Sequence, residues 1–469
     1  MTTDIAGLPF WELTFDADGD PDTAQRDTFL TEVPGRNITD LVIFSHGWNN
    51  NRRIATELYT GFFSILAGQL THVPANRPTV VGLAGVIWPS QLWSDQPIPD
   101  FPAAAADGGG GAASLTDTTP DDTGVAPADP TLDQETLDNL RELFPQATGP
   151  LNKMAALLTT PPTADAQAEF YRQLKEFSRL AGGTGDDGEI DPATGLHPAE
   201  PRMLLDNDPT VMFERYRDAL QELGVPLAGG AGGQAGLGDV FRGIWNGAKE
   251  ALRGATYWQM KNRAGVVGKD GLGPLLGRLH QAAPQVRVHL IGHSFGARLV
   301  SYALAGLPEV PGPSPVKAVT LLQGAFSHFA FAHPLPFDAG RNGALVGMLD
   351  RIDGPLTVCF STHDSAVGTM YPLASIAAGD DAAAAQDLLY RWGGMGADGA
   401  QGVQAELTSI QPSGPGSTYN FTPQHALNID ASDIVRAGGP PAGAHSDIIH
   451  PELTWIVLTA GRIASCCQR

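Results

Sequence analysis

The sequence predicts an α/β protein, a mostly parallel sheet with helices on its faces, and three observations predict it. Short, nearly continuous apolar runs recur at Leu41–Ser45, Val80–Trp88, Val286–Ile291, Val316–Leu322 and Leu356–Ser361, with a weaker one at Ala426–Ile429. Runs of that length without polar alternation suit strands covered on both faces, as in a parallel sheet. Helical stretches separate several of them: Arg52–Leu70 follows the first, Phe295–Leu307 the third, and Pro451–Ala464 closes the chain. Such alternation implies right-handed crossovers. Finally, the Val286–Ile291 run passes directly into a serine flanked by glycines and then into a helix pattern.

In chain order, Leu8–Phe15 reads as the first arm of a hairpin, with a turn at Asp16–Asp20 and a returning strand. The acidic turn is a plain turn and not a calcium loop, because its glycine falls at the wrong offset and no Glu closes it. The alternation of elements breaks between about Ser94 and Ala255. Residues 102–130 are mostly Ala, Gly, Pro, Asp and Thr, a composition that buries too little apolar surface to order itself. Gly-rich patches recur at Ala181–Gly188 and Ala228–Gly238. Before the first patch Thr163–Leu180 carries Phe170, Leu174 and Phe177 at helical spacing, and between the two patches Pro209–Leu223 is a second helix candidate behind an Asp-rich start. The expected organisation is a core formed by residues 1–93 and 239–469, interrupted by an insertion over 94–238. That insertion is read as part linker and part helical cap over the site, with surface decoration as the alternative. The Phe170, Leu174, Phe177 stripe reads as a satisfied helix face before it reads as a lipid port.

A hydrophobic fraction of 42 % is enough for a large core, and the net charge of −22 is strongly acidic. An acidic surface lacks the basic footprint that nucleic acid or anionic lipid requires, so neither is an expected partner. Residues 95–200 hold 19 Asp/Glu against 5 Lys/Arg, which places much of that charge in the insertion. The three cysteines cannot build a disulfide framework: Cys359 reads as a core thiol, and Cys466 and Cys467 as an exposed tail. Met1–Phe10 shows no signal-peptide pattern and no stretch has the length of a membrane span, so a cytoplasmic protein without integral membrane association is expected.

The chemistry is carried by Gly292-His293-Ser294-Phe295-Gly296. A G-x-S-x-G between a strand and a helix is the context of a nucleophile elbow, in which bulk is excluded on both sides of the serine. Ser294 is the candidate nucleophile. A second buried strand ends in Ser45-His46-Gly47-Trp48-Asn49-Asn50, where such folds place half of an oxyanion hole. The amides of Trp48 and Phe295 are the candidate donors, with Gly47 as alternate, and His46 is read as structural.

These segments, with Trp88-Pro89-Ser90 and Tyr257–Gly265, resemble bacterial α/β-hydrolases of largely uncharacterised function. The resemblance covers about residues 8–93 and 255–465, implies fold and catalytic type, and leaves the insertion without a counterpart.

In that fold the order is serine, acid, histidine. Asp364, after the Leu356–Ser361 strand, is the expected acid; Asp353 and His363 are read as loop residues. His445 is the expected base, from a Gly/Pro-rich loop near the last helix, and His450 is the alternative. His425 is read as structural. Gly394–Gly399 matches G-x-G-x-x-G but is expected to enter no helix, which argues against a dinucleotide site. The expectation is a serine hydrolase cleaving carboxylic esters, small or lipid-like, without a cofactor or metal. An amidase, peptidase or thioesterase on the same residues is the alternative, and a silent binding module recruiting a partner through its acidic insertion is the reading from another class.

Overall fold

The sheet is built from β1 (Thr3–Ile5), β2 (Leu8–Thr14), β3 (Asp40–Ser45), β4 (Val81–Ile87), β5 (Arg287–His293), β6 (Val316–Leu322), β7 (Leu356–Phe360) and β8 (Ala426–Asp430). Their order is β1-β2-β4-β3-β5-β6-β7-β8, and only β1 with β2 is antiparallel. The computed structural model describes residues 3–70, 78–90, 131–181, 213, 237–309, 312–336, 339–340, 342–367, 393–403, 412, 414–438 and 443–463.

The continuous apolar runs divide by pleat parity. Leu41 and Ile43 of β3, Ala84 and Val86 of β4 and Leu290 of β5 enter one cluster. Val42 and Phe44, Leu83 and Ile291, which point the other way, enter a second. Both faces are therefore covered, which is why these strands show no polar alternation. Against the second face lie α2 (Arg52–Leu70) and the closing helix α10 (Pro451–Ala460). The first face is covered by α1 (Thr23–Gly35), α6 (Leu237–Val266), α7 (Gly273–Ala282) and α8 (Phe295–Gly306), with a π-helical turn Val267–Leu272 joining α6 to α7.

Three helices of the insertion, α3 (Gln134–Leu143), α4 (Thr148–Leu157) and α5 (Ala164–Ala181), belong to the same first cluster. Phe170, Leu174 and Phe177 are fully buried. The Phe170 ring packs 5.7 Å from both Phe213 and Trp245, and Phe177 5.1 Å from Phe144. The stripe is thus a satisfied face, docked on the core through α6. The tract 102–130, the patches 182–188 and 228–236, and most of Pro209–Leu223 lie outside the described residues, as do Cys466 and Cys467.

Two local expectations are corrected. The hairpin partner of Leu8–Thr14 is the preceding strand Thr3–Ile5, and the chain after the acidic turn makes only a lone bridge, Phe15 to Pro21, before entering α1. Asp16 accepts from the amides of Asp18 and Asp20, which closes the turn without a returning strand. Gly394-Met395-Gly396-Ala397-Asp398-Gly399 does enter a helix, the single turn α9 (Met395–Asp398). There Gly396 packs on the backbone of Gln323, and a Cβ would lie 2.5 Å from its carbonyl carbon. Its glycine is required by close packing. No helix among the described residues is long and apolar enough to cross a membrane.

Candidate active site

β5 ends at His293 and α8 begins at Phe295, which leaves Ser294 alone in the connection with φ 57° and ψ −124°. A left-handed φ at a non-glycine residue costs about 1–3 kcal/mol and persists only where its surroundings impose it. Here the end of β6 imposes it. Ser294 N–H donates to Leu322 O and Ala325 N–H donates to Ser294 O, each at 3.1 Å. The flanking glycines are required by space. A Cβ on Gly292 would lie 2.4 Å from Ala297 Cα, and one on Gly296 would lie 2.0 Å from the carbonyl oxygen of Ser45.

The structure brings the three expected side chains together. His445 Nε2 lies 2.8 Å from Ser294 Oγ, and His445 Nδ1 lies 2.7 Å from Asp364 Oδ2. The carboxylate can only accept, so Nδ1 carries the imidazole proton and Nε2 presents its lone pair to the serine hydroxyl. Asp364 follows β7 and is almost fully buried, and its second oxygen accepts from Val367 N–H at 3.0 Å. Ser294 is 5 % exposed and the His445 side chain 13 %, so the pair is shielded without being sealed.

His450, the alternative base, lies elsewhere. It is the N-cap residue of α10, and its Nε2 bonds Asp447 Oδ1 at 2.8 Å. His363 contributes its backbone, whose carbonyl accepts from Ala444 N–H at 2.9 Å beside His445. His425 precedes β8, with Nδ1 on Pro423 O. Asp353 pairs with Lys317 at the surface.

The Gly47–Asn50 loop closes over the serine. A Cβ on Gly47 would stand 2.5 Å from Ser294 Cβ, so only glycine lets this loop approach. The Trp48 ring packs 6.2 Å from the Phe295 ring, which places both expected donor residues at the elbow. Asn50 Nδ2 donates to the carbonyls of Gly47 and Trp48, and Asn49 N–H donates to Ser90 O. Ser90 and Asn50 exchange hydrogen bonds, so Trp88-Pro89-Ser90 serves as the loop's support. His46 is structural: its Nδ1–H donates to Gly47 O, and its ring stacks on Trp88 at 5.7 Å. Burial pulls its pKa down to about 4, against the upward pull of the Gly47 carbonyl.

Two residues of the site carry roles that sequence reading did not assign. His293 is buried and donates Nε2–H to the carbonyl of His445 at 2.8 Å. Burial, with the neighbouring His445 ring, pushes its pKa down to about 3. Asp447 is buried and accepts from the amides of Arg436 and Ala437 at 2.9 and 2.8 Å, as well as from His450. Burial raises a carboxyl pKa, but those three donors hold Asp447 below the ordinary carboxylate value. Asp447 thus ties the segment after β8 to the loop that carries His445. Its only sequence signal was a short polar cluster beside the expected base.

Comparison with protein-family models, curated proteins and solved structures finds no match.

Proposed function

We propose that this protein is a serine hydrolase of the α/β-hydrolase type that cleaves carboxylic esters through an acyl-enzyme. The observation that carries the reading is the unbroken relay Ser294 Oγ, His445 Nε2, His445 Nδ1, Asp364 Oδ2, at 2.8 and 2.7 Å, on a strained elbow between strand and helix. A carboxylate, imidazole and hydroxyl so aligned activate the hydroxyl as a nucleophile.

In this reading Ser294 Oγ attacks the ester carbonyl carbon while its proton passes to His445 Nε2. Asp364 holds the ring orientation and stabilises the imidazolium. The negative charge on the carbonyl oxygen is met by the Trp48 and Phe295 amides. His445 then returns the proton to the departing alkoxide, leaving the acyl group on Ser294. Water, deprotonated by the same imidazole, attacks the acyl carbon, and the proton returns to Oγ as the acid is released. The buried histidines at 46 and 293 have pKa values pulled far below neutrality by burial. They stay neutral at working pH, so they bear hydrogen bonds while His445 handles the proton.

The test is hydrolysis of a chain-length series of p-nitrophenyl esters by the full chain, with a fluorophosphonate probe to mark the nucleophile. Ester turnover with labelling at Ser294 supports the reading. A chain that neither turns over nor labels rejects it.

A further inference from the structure

We propose that Arg263 is a positioning residue of the site. Through Pro89 and Ser90 it holds the Gly47–Asn50 loop, and by bonding Leu143 with the same guanidinium it makes that loop depend on the docked insertion. The inference deepens the hydrolase reading and rests on it for what the loop does.

Arg263, on α6, lines a cavity of about 740 Å³ between the insertion helices, α6 and the carboxyl ends of β2 and β4. Its guanidinium reaches both sides of the boundary. Nη1 donates to the carbonyl of Pro89 and Nη2 to the carbonyl of Leu143, each at 3.1 Å. Leu143 is the last residue of α3, so its carbonyl is one that the helix end leaves without an intrahelical partner. A cation there is also favoured by the helix dipole. The guanidinium carbon stands 5.3 Å from the centre of the Phe144 ring, which packs in turn on Phe177 of α5. The insertion therefore meets the guanidinium at two successive residues. Burial pulls the Arg263 pKa down to about 10, against the upward pull of Asp18, which leaves the group charged at neutral pH and both of its bonds charge-assisted.

From Pro89 the path runs on to the oxyanion loop. The Pro89 carbonyl belongs to the peptide group that enters Ser90, so holding it fixes the plane from which Ser90 starts. Ser90 makes three bonds to the loop. Its carbonyl accepts from Asn49 N–H at 2.9 Å, and its Oγ accepts from Asn50 N–H at 3.3 Å and donates to Asn50 O at 3.0 Å. Asn50 Nδ2 then holds the carbonyls of Gly47 and Trp48. This anchor has strain to oppose. Asn49 has φ 57°, a left-handed conformation that a non-glycine residue keeps only where its surroundings impose it. Without Ser90 in place Asn49 relaxes, and Trp48, the residue before it, moves with it. In the hydrolase reading the Trp48 amide meets the oxygen of the scissile carbonyl. Arginine suits the junction because its planar fork presents separate donors to two carbonyls, whereas lysine offers its donors from one nitrogen.

The experiment is p-nitrophenyl acetate kinetics on the full chain, with active sites counted by fluorophosphonate titration so that misfolded molecules drop out. Arg263→Met and Ser90→Ala are each expected to lower kcat per site by about 10- to 100-fold with KM little changed, the effect of displacing an oxyanion donor. The inhibition constant of phenylboronic acid, whose tetrahedral adduct on Ser294 uses the same amides, should rise by the same factor. The double variant should fall no further than the more severe single one, because both break one path. Arg263→Lys recovers part of the loss. Phe177→Leu, which loosens the insertion without touching the path from Arg263 to the loop, gives a smaller loss of the same kind that vanishes in the Arg263→Met background. Wild-type kcat per site in Arg263→Met, with only Tm lowered, would make the guanidinium a structural tie and overturn the proposal. Losses that multiply in the double variant would overturn the shared path. An absent Phe177→Leu effect, or one that persists beside Arg263→Met, would overturn the dependence on the insertion. All three results leave wild-type turnover and labelling of Ser294 standing. A wild type that neither turns over nor labels removes the hydrolase reading, and the role of Arg263 with it.

Discussion

His293 donates its Nε2–H to the backbone carbonyl of His445, 2.8 Å away, and the two rings lie 4.9 Å apart. The residue before the serine thus helps to hold the residue that bonds the serine, and the contact links the Ser294 turn to the loop that carries His445. Removing that contact loosens the loop at His445, which the Ala444–His363 bond and Asp447 still hold, without touching Ser294 Oγ. His293→Ala is expected to lower kcat by about 10- to 100-fold with little change in KM, as a small displacement of a reacting group does. His293→Gln, whose amide can still donate, should recover part of the loss. Steady-state kinetics of the two variants checks this, and equal losses would assign His293 a packing role only.

The two candidate bases separate on mutation. His445→Ala is expected to cost about 10³-fold or more in kcat, as loss of any member of a cooperating set does. His450→Ala removes the Asp447 contact and leaves the relay intact, so the loss should stay within about tenfold and be accompanied by a lower Tm. Asp447→Asn should resemble His450→Ala in sign, because Asn keeps one acceptor for the Arg436 and Ala437 amides. Parallel kinetics and thermal melts of the three variants rank them.

Gly47→Ala tests the loop. A Cβ placed 2.5 Å from Ser294 Cβ requires loop or elbow to shift. The expected result is a fall in kcat of about 10²-fold or more, the scale of losing one oxyanion donor, with a fold retained by far-UV circular dichroism. Near-wild-type turnover would separate this loop from the chemistry.

Acid sensitivity follows from the buried histidines. His46 and His293 have folded pKa values of about 4 and about 3, against 6.5 when unperturbed. Between those values and 6.5 the unfolded chain holds more protons, so stability rises with pH across that window and is lost on acidification. Asp447 acts with the same sign at lower pH. Its depressed pKa contributes stability above the ordinary carboxylate range, lost as pH falls through the folded value. Thermal melts from pH 7.5 to 5 should show a falling Tm, with a shallower slope in His293→Gln. A flat profile would contradict buried neutral histidines.

The strands of the core were legible because burial on both faces writes itself as an apolar run; Val316–Leu322 is read at its observed ends. The meeting of Ser294, His445 and Asp364 was legible for a different reason. Strand order fixes which loops converge on the carboxyl edge, so Asp364 and His445 follow once Ser294 is placed. α1 was missed because only Phe29 and Val33 of its residues are buried and Pro34 lies inside it, which leaves no apolar stripe. Asp447 and His293 were not assigned because their roles are hydrogen bonds to distant backbone, and no local pattern encodes those partners. The cavity lies between insertion and core, and its wall residues are scattered from Thr14 to Val266. Only tertiary structure brings them together.

The central claim is that Ser294 is a nucleophile driven by His445 and Asp364. Burst kinetics with p-nitrophenyl acetate tests it most directly, followed by mass spectrometry of the trapped protein. The account predicts a burst of p-nitrophenol with an acetyl group on the peptide containing Ser294, and Ser294→Ala with a normal melting curve, no burst and turnover lowered by about 10³-fold or more. Undiminished turnover in Ser294→Ala, or an acetyl group on a different residue, would contradict it.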